Sequence, residues 1–260
     1  MDRVTWRRLR AQVEADGIPS VLYIREASGL GHLTVSDAAP NLLLANAESH
    51  AARARAAGYA CEVVPSVVEI DHALIETSRD VVLLINPMHL LGGDRLWPIA
   101  RARPDIPFVI QESGLLSAAE REEVLRAARV HPNVTVRSFS ARPAEVYRDA
   151  RILVVPHRVD NRPRVVLEAQ ANGIPVIASG YPGLVESVGA GGVIVEDADD
   201  PAAWIRVVGD VWDDPNQYDA LVRAARVQAA RPEVSPSVVV DRFESLITAL
   251  VETHTPAVPA

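Results

Sequence analysis

Nine short runs rich in valine, leucine and isoleucine, most of them separated by stretches with helical spacing, constrain this chain more than any other feature. The runs fall at 21–24, 42–45, 61–64, 81–85, 108–110, 134–136, 152–155, 176–178 and 193–195. Most are continuously apolar instead of alternating, the pattern of strands buried on both faces. Helical stretches lie at 6–14, 50–57, 96–103, 118–129, 144–149, 164–172 and 184–188. Strand, helix and strand in repetition predict an α/β fold with a parallel sheet and right-handed crossovers. Past residue 195 the pattern turns helical, through 204–212, 218–230 and 238–251.

A polar stretch, Glu69-Ile70-Asp71-His72, separates two groups of runs. Six runs follow it, enough for a complete doubly wound sheet, and three precede it. The expected division is therefore a partial N-terminal α/β region over 1–74, a C-terminal Rossmann-like domain over 75–252 and a frayed tail over 253–260. There is no internal repeat.

The net charge of −8 and the isoelectric point near 5.4 argue against nucleic acid as the main partner. No apolar run approaches the roughly 18–20 residues of a membrane helix, and the charged first twenty residues do not resemble a secretion signal. The expected location is the cytoplasm. Cys61 is the single cysteine, so an internal disulfide is excluded and the thiol is expected to be a small buried hydrophobe. All 26 basic residues are arginines. Without a lysine, a phosphate can be met only by arginine or by backbone amides.

The segment that carries chemistry is 154–168, Val-Val-Pro-His-Arg-Val-Asp-Asn-Arg-Pro-Arg-Val-Val-Leu-Glu. A strand ends at Val155, a loop follows, and a helix begins near Arg162–Arg164. Ligands of open parallel sheets bind beyond the carboxyl ends of strands, where free helix amides and the helix dipole favour a diphosphate. Glu168, about one turn into the helix, can offer two oxygens to a vicinal diol such as a ribose. Asp160 lies on the loop eight residues earlier.

This stretch resembles the retaining glycosyltransferases of family 4, whose donor domain carries a Glu-x7-Glu motif. Asp160 takes the first acidic position and Glu168 the second, within Arg164-Val-Val-Leu-Glu-Ala169. Asn172-Gly-Ile-Pro-Val-Ile-Ala-Ser179 and Gly183-Leu-Val-Glu186 follow at the family's spacing. Upstream, Ile85-Asn-Pro87, Gly92-Gly-Asp94, Asn133-Val134 and the run from Tyr147 to Pro156 fit the same template. Asn46-Ala-Glu-Ser-His50 and Val64-Pro-Ser66 resemble the end of the family's acceptor domain. The resemblance covers about residues 20–230. It implies a GT-B-like architecture with a truncated N-terminal domain. It also implies a nucleotide-diphosphate sugar as donor, an unknown acceptor, no metal and no cofactor. Glu168 then binds the nucleotide ribose and Asp160 contacts the donor sugar. The expected catalytic pair is Asp160 and Arg95; the expected donor-binding set is Glu168, Arg164, Val165, Val166, Arg158, Gly92, Gly93 and Ser138.

The chain departs from the family at three points. The diphosphate-clamping lysine expected before Gly92 is Leu91, with Arg95 and Arg158 as candidate substitutes. A charge-assisted contact is worth about 1.5–3 kcal/mol, so losing one in the transition state costs about one to two powers of ten in rate. A glycine whose amide approaches the ligand is Pro163, which has no N–H to give. The first acid is an aspartate, shorter by one methylene. These departures, with the short first region, motivate an alternative: a catalytically impaired, truncated glycosyltransferase-like protein acting as a subunit or interaction partner, as a homo-oligomer or with a partner subunit that completes the acceptor half. Arg25 and Glu26, after the first run, are at a plausible cleft position. Gly29-Leu-Gly31 lacks the third glycine of a dinucleotide fingerprint, and Asp197-Ala-Asp199, beside Asp200-Pro201, is expected to be helix capping and not a metal pair.

Overall fold

The computed structural model describes residues 3–32 and 39–254. These divide into two compact units. The first comprises the described residues of 3–67, 160–162 and 232–254, and the second comprises 68–159 and 163–231.

The first unit contains helix α1 (Arg3–Ala15), strands β1 (Val21–Ile24) and β2 (Leu42–Ala45), helix α2 (Glu48–Ala56) and strand β3 (Glu62–Val63). Its last element is α10 (Pro236–His254). The three strands are parallel in the order β1-β2-β3. Side chains alternate along β2. Leu43 and Ala45 pack with Ala51 and Ala54 of α2 and with Cys61, whereas Leu44 packs with Val64 and with Val239 and Leu246 of α10. A parallel sheet needs cover on both faces, and α10 supplies it on the second. Residues 232–252, expected with the C-terminal domain, belong by contact to the first unit, whose N-terminal segment runs to Val67 where 74 was expected. Thr253 and His254 are still helical; 255–260 of the expected tail lie outside the described residues. Cys61 is buried in this core, and burial pushes its thiol up to about 11.

The second unit holds strands β4 (Val81–Ile85), β5 (Phe108–Gln111), β6 (Val134–Arg137), β7 (Ala150–Val155), β8 (Val176–Ser179) and β9 (Gly192–Val195). All are parallel, in the order β6-β5-β4-β7-β8-β9. This is the doubly wound order, with its reversal between β4 and β7. Its helices are α3 (Leu96–Ala102), α4 (Ala118–Ala128), α5 (Pro143–Tyr147), α6 (Arg164–Ala171), α7 (Pro182–Val188), α8 (Pro201–Asp213) and α9 (Pro215–Ala229). Continuous apolar runs follow from cover on both faces. Val82, Leu84, Phe108, Ile110, Ile152 and Val154 face a core with Leu96, Ile99 and Trp204. Val81, Leu83, Val109, Leu153 and Val155 face another with Tyr147, Val166 and Leu184.

Helix starts follow their local sequence. Ser117 and Glu120 form a capping box at α4. Asp200 caps α8 and Asp214 caps α9, each followed by proline at the first helical position. Helix α6 begins after Pro163, whose side chain supplies no cap.

Candidate functional site

Where the strand order reverses, the chain leaving β4 passes Asn86, held at φ 61°, and then Gly92 at φ 70°. A β-carbon on Gly92 would stand 1.8 Å from Pro156 O, and one on Gly93 would stand 2.1 Å from Pro87 O. The two glycines are thus where backbone meets backbone with no room for a side chain. The loop after β7 is laced to the same segment: Arg158 N–H donates to Leu90 O at 3.1 Å, and its guanidinium donates to His89 O at 2.8 Å.

Both candidate lysine substitutes lie here, and both have protein partners. Arg95, with 8% of its side chain exposed, donates to Pro156 O at 3.0 Å and Ser179 Oγ at 3.3 Å, and pairs with Asp199. Arg158 grips both oxygens of Asp94, at 2.5 and 2.8 Å. Partial burial works to raise the Asp94 carboxyl, but the hydrogen bonds and charge of Arg158 outweigh it and hold the group below the usual carboxylate range. Each pair is formally neutral, so a phosphate must compete with an aspartate for either arginine. Asp199, expected to cap a helix, is instead this ion-pair partner, and Asp200 does the capping.

Helix α6 positions the second acid. Arg164 is exposed, Val165 is half-buried and Val166 is a core residue whose N–H turns back to Pro163 O at 3.3 Å. Glu168 is half-buried, and the phenol of Tyr147 donates to its Oε2 at 2.6 Å. Burial first, then the charge and hydrogen bond of Glu168, raise the Tyr147 phenol well above its ordinary value, so it stays protonated and donates. Among the described residues, Oε1 has no hydrogen-bond partner. The next turn is fixed by Asn172, which donates to Ala73 O and Glu168 O and accepts from Ile75 N–H.

A cleft of about 600 Å³ opens at the carboxyl ends of β5 and β6, lined by Gln111, Arg137, Ser138, Phe139, Ser140, Ala141, Arg142, Glu145 and Arg148. Gln111 donates to Ser138 O at 2.6 Å and so fixes the loop. Arg137 is held by Asp149 at the cleft's edge, and Phe139 is largely exposed. Of these, the sequence singled out Ser138 alone. Gln111, a polar residue ending an apolar run, was the available hint.

Asp160 lies in the first unit, with 8% of its side chain exposed. Its carboxylate meets His50 Nε2 and Arg53, each at 3.3 Å. His50 is fully buried, with Nδ1 3.0 Å from Asn46 Oδ1. Arg162 donates to Asn46 O at 3.0 Å, and Ala27 N–H donates to Asp160 O at 3.0 Å. Arg25 and Glu26 are both exposed. Among the described residues, no cluster of three His, Cys, Asp or Glu side chains could hold a metal ion, and no helix is long and apolar enough to cross a membrane.

Residues 96–214 match the family described as glycosyl transferases group 1. Over that stretch the chain is similar to the group 1 glycosyltransferases. Among curated relatives, D-inositol 3-phosphate glycosyltransferase 1 of Catenulispora acidiphila is 44% identical over 89 residues, 34% of this chain and 21% of that protein. The D-inositol 3-phosphate glycosyltransferase of Corynebacterium urealyticum is 32% identical over 172 residues, 60% of this chain and 40% of that protein. These matches span well under two thirds of either relative's length. Among solved structures, Anabaena HepE in complex with UDP-glucose superposes with a TM-score of 0.76 at 14% identity, covering 89% of this chain and 72% of that one. A glycosyltransferase from Rickettsia africae gives 0.71 at 12% identity, over 96% of this chain and 82% of that one. The fold is accordingly GT-B-like.

Proposed function

We propose that the second unit binds a nucleotide-diphosphate sugar, and that the chain transfers the sugar to an acceptor with retention of configuration. The observation that carries the reading is Glu168, a half-buried carboxylate on α6 with one oxygen held by Tyr147 and the other, among the described residues, without a partner. An ionised carboxylate only accepts hydrogen bonds, and a ribose hydroxyl is the complementary donor. The diphosphate goes to the first amides of α6, with exposed Arg164 beside them, and to the side-chain-free backbone at Gly92 and Gly93. The base takes the cleft around Ser138 and Phe139. Helix amides and arginines do the charge stabilisation that a metal does elsewhere, so the reaction is proposed to be metal-independent and cytoplasmic. Arg95 serves the phosphates by leaving Asp199. Asp160, expected at the donor sugar, has its carboxylate engaged by His50 and Arg53 within the first unit.

Titration calorimetry with UDP-, GDP-, ADP- and dTDP-sugars tests this. One of them binds, and Glu168→Gln weakens that binding without unfolding the chain. Absence of binding across the panel removes the reading.

A second reading is favoured by Asp160, whose two oxygens already face His50 and Arg53, together with Leu91 and Pro163. In it the chain is catalytically impaired and acts as a subunit or interaction partner, the acceptor half coming from another chain. Turnover by the purified chain alone discards this reading.

A further inference from the structure

We propose that Tyr147 is a positioning residue for ribose recognition, acting only through Glu168. The proposal rests on the donor-binding reading above.

Tyr147 closes α5, and its ring is 1% exposed in the core formed with Val166, Ala169 and Leu184. A ring so closely packed holds its hydroxyl in a defined place on the time average. That hydroxyl reaches Glu168 Oε2 at 2.6 Å, a short charge-assisted contact. A glutamate side chain otherwise loses much rotamer freedom when it is pinned by a ligand. Here a protein group pins it beforehand and leaves Oε1 for the incoming hydroxyl. The carboxylate therefore presents one free oxygen, not the two expected from sequence.

The phenol also joins two parts of the second unit. Glu145, on α5, and Arg148, the residue after Tyr147, line the cleft at the ends of β5 and β6. One short element thus carries both a wall of that cleft and the donor that orients Glu168. A base in the cleft and a hydroxyl at Glu168 Oε1 would be read by a single rigid piece, so Tyr147 bears on the choice between ribo- and deoxyribonucleotides.

The experiment is a calorimetric comparison of wild type, Tyr147→Phe, Glu168→Gln and the double variant. Its probes are whichever of UDP, GDP and ADP binds best, with the 2′-deoxy and 3′-deoxy forms of that diphosphate. Wild type is expected to prefer the ribo form by about tenfold over at least one deoxy form, the scale of one hydrogen bond to a charged group. Tyr147→Phe is expected to remove most of that preference while leaving affinity for the deoxy form unchanged, an outcome that a merely loosened fold would not give. In the Glu168→Gln background, Tyr147→Phe is expected to have no further effect. Full ribose preference in Tyr147→Phe overturns the positioning role and leaves the ribose role of Glu168 standing. No ribose preference in wild type overturns both.

Should Tyr147→Phe fail to fold, proton NMR of the wild type decides. The Tyr147 hydroxyl proton must resonate downfield, shift in Glu168→Gln, and persist when nucleotide saturates the site. Its loss on saturation overturns the proposal.

Discussion

The carbonyl oxygen of Pro156 occupies the space where Gly92 would carry a side chain, 1.8 Å from an ideal β-carbon. Gly92 also sits at φ 70°. Gly92→Ala therefore combines a backbone clash with a strained dihedral and is expected to cost about 2–4 kcal/mol. Gly114 is the control. Its φ is 76°, but its nearest neighbour, the Phe139 ring, lies at 3.6 Å, so Gly114→Ala carries strain of about 1–2 kcal/mol alone. Urea unfolding measures both. Equal losses would mean that the Pro156 loop shifts freely.

Asp199 is 91% exposed and holds a guanidinium that is otherwise inside the protein. Asp199→Asn is expected to change stability by less than about 1 kcal/mol, as exposed ion pairs do. It also frees one arm of Arg95, so affinity for a nucleoside diphosphate should rise several-fold in low salt. Arg95→Met is expected to do the reverse, costing about 1–3 kcal/mol because Pro156 O and Ser179 Oγ lose their donor. Nucleotide titrations on the two variants, paired with their melting curves, test the opposition. Weaker binding by Asp199→Asn would show that Arg95 needs its aspartate in place.

Asp149 supplies a pH dependence. Partial burial acts to raise its carboxyl, but Arg137 prevails and the folded value lies below the ordinary one. A group whose folded value is depressed contributes stability that is complete above the unfolded value, about 3.9, and is lost as the pH falls through the folded one. The wild-type chain should therefore lose stability on acidification below about pH 4. In Asp149→Asn that acid limb should be shallower in denaturation curves taken between neutral pH and pH 3. A limb of unchanged slope would assign the loss to other carboxylates, such as Asp94.

Cys61 works in the opposite direction. Burial raises its thiol to about 11, so its contribution is present below the unfolded value of about 8.5 and is lost as the pH rises past the folded one. Thiol reagents at pH 8 should label the native chain far more slowly than the urea-unfolded chain. Equal rates would place Cys61 at an accessible surface.

The strands were legible because cover on both faces leaves nothing for water to select, so apolar residues run without interruption, as in Val81–Ile85. The double winding was legible as a count of runs. Strand adjacency was not, because no residue in β4 names β7 as its neighbour. An amphipathic pattern told that 238–251 buries a face but not against which sheet, and Leu44 and Val64 settle that only in three dimensions. In the candidate site, Glu168 was marked by its spacing from the strand end, whereas its partner Tyr147 lies 21 residues earlier and reads as a core aromatic. Arg95 and Arg158 looked available because the sequence does not show that Asp199 and Asp94 reach them. Gly92 and Gly93 were noted as ligand-facing, and the structure adds a packing demand from Pro156 and Pro87.

The closing helix α10 has a bearing on how the chain is made. Its Val239 and Leu246 cover the face of β2 that α2 does not reach. During synthesis the second unit is fully spelled out once Arg231 has emerged, while the first sheet, though translated earlier, still lacks its cover until α10 leaves the ribosome. A nascent chain stalled before α10 would therefore expose Leu44 and Val64 to any chaperone that samples it.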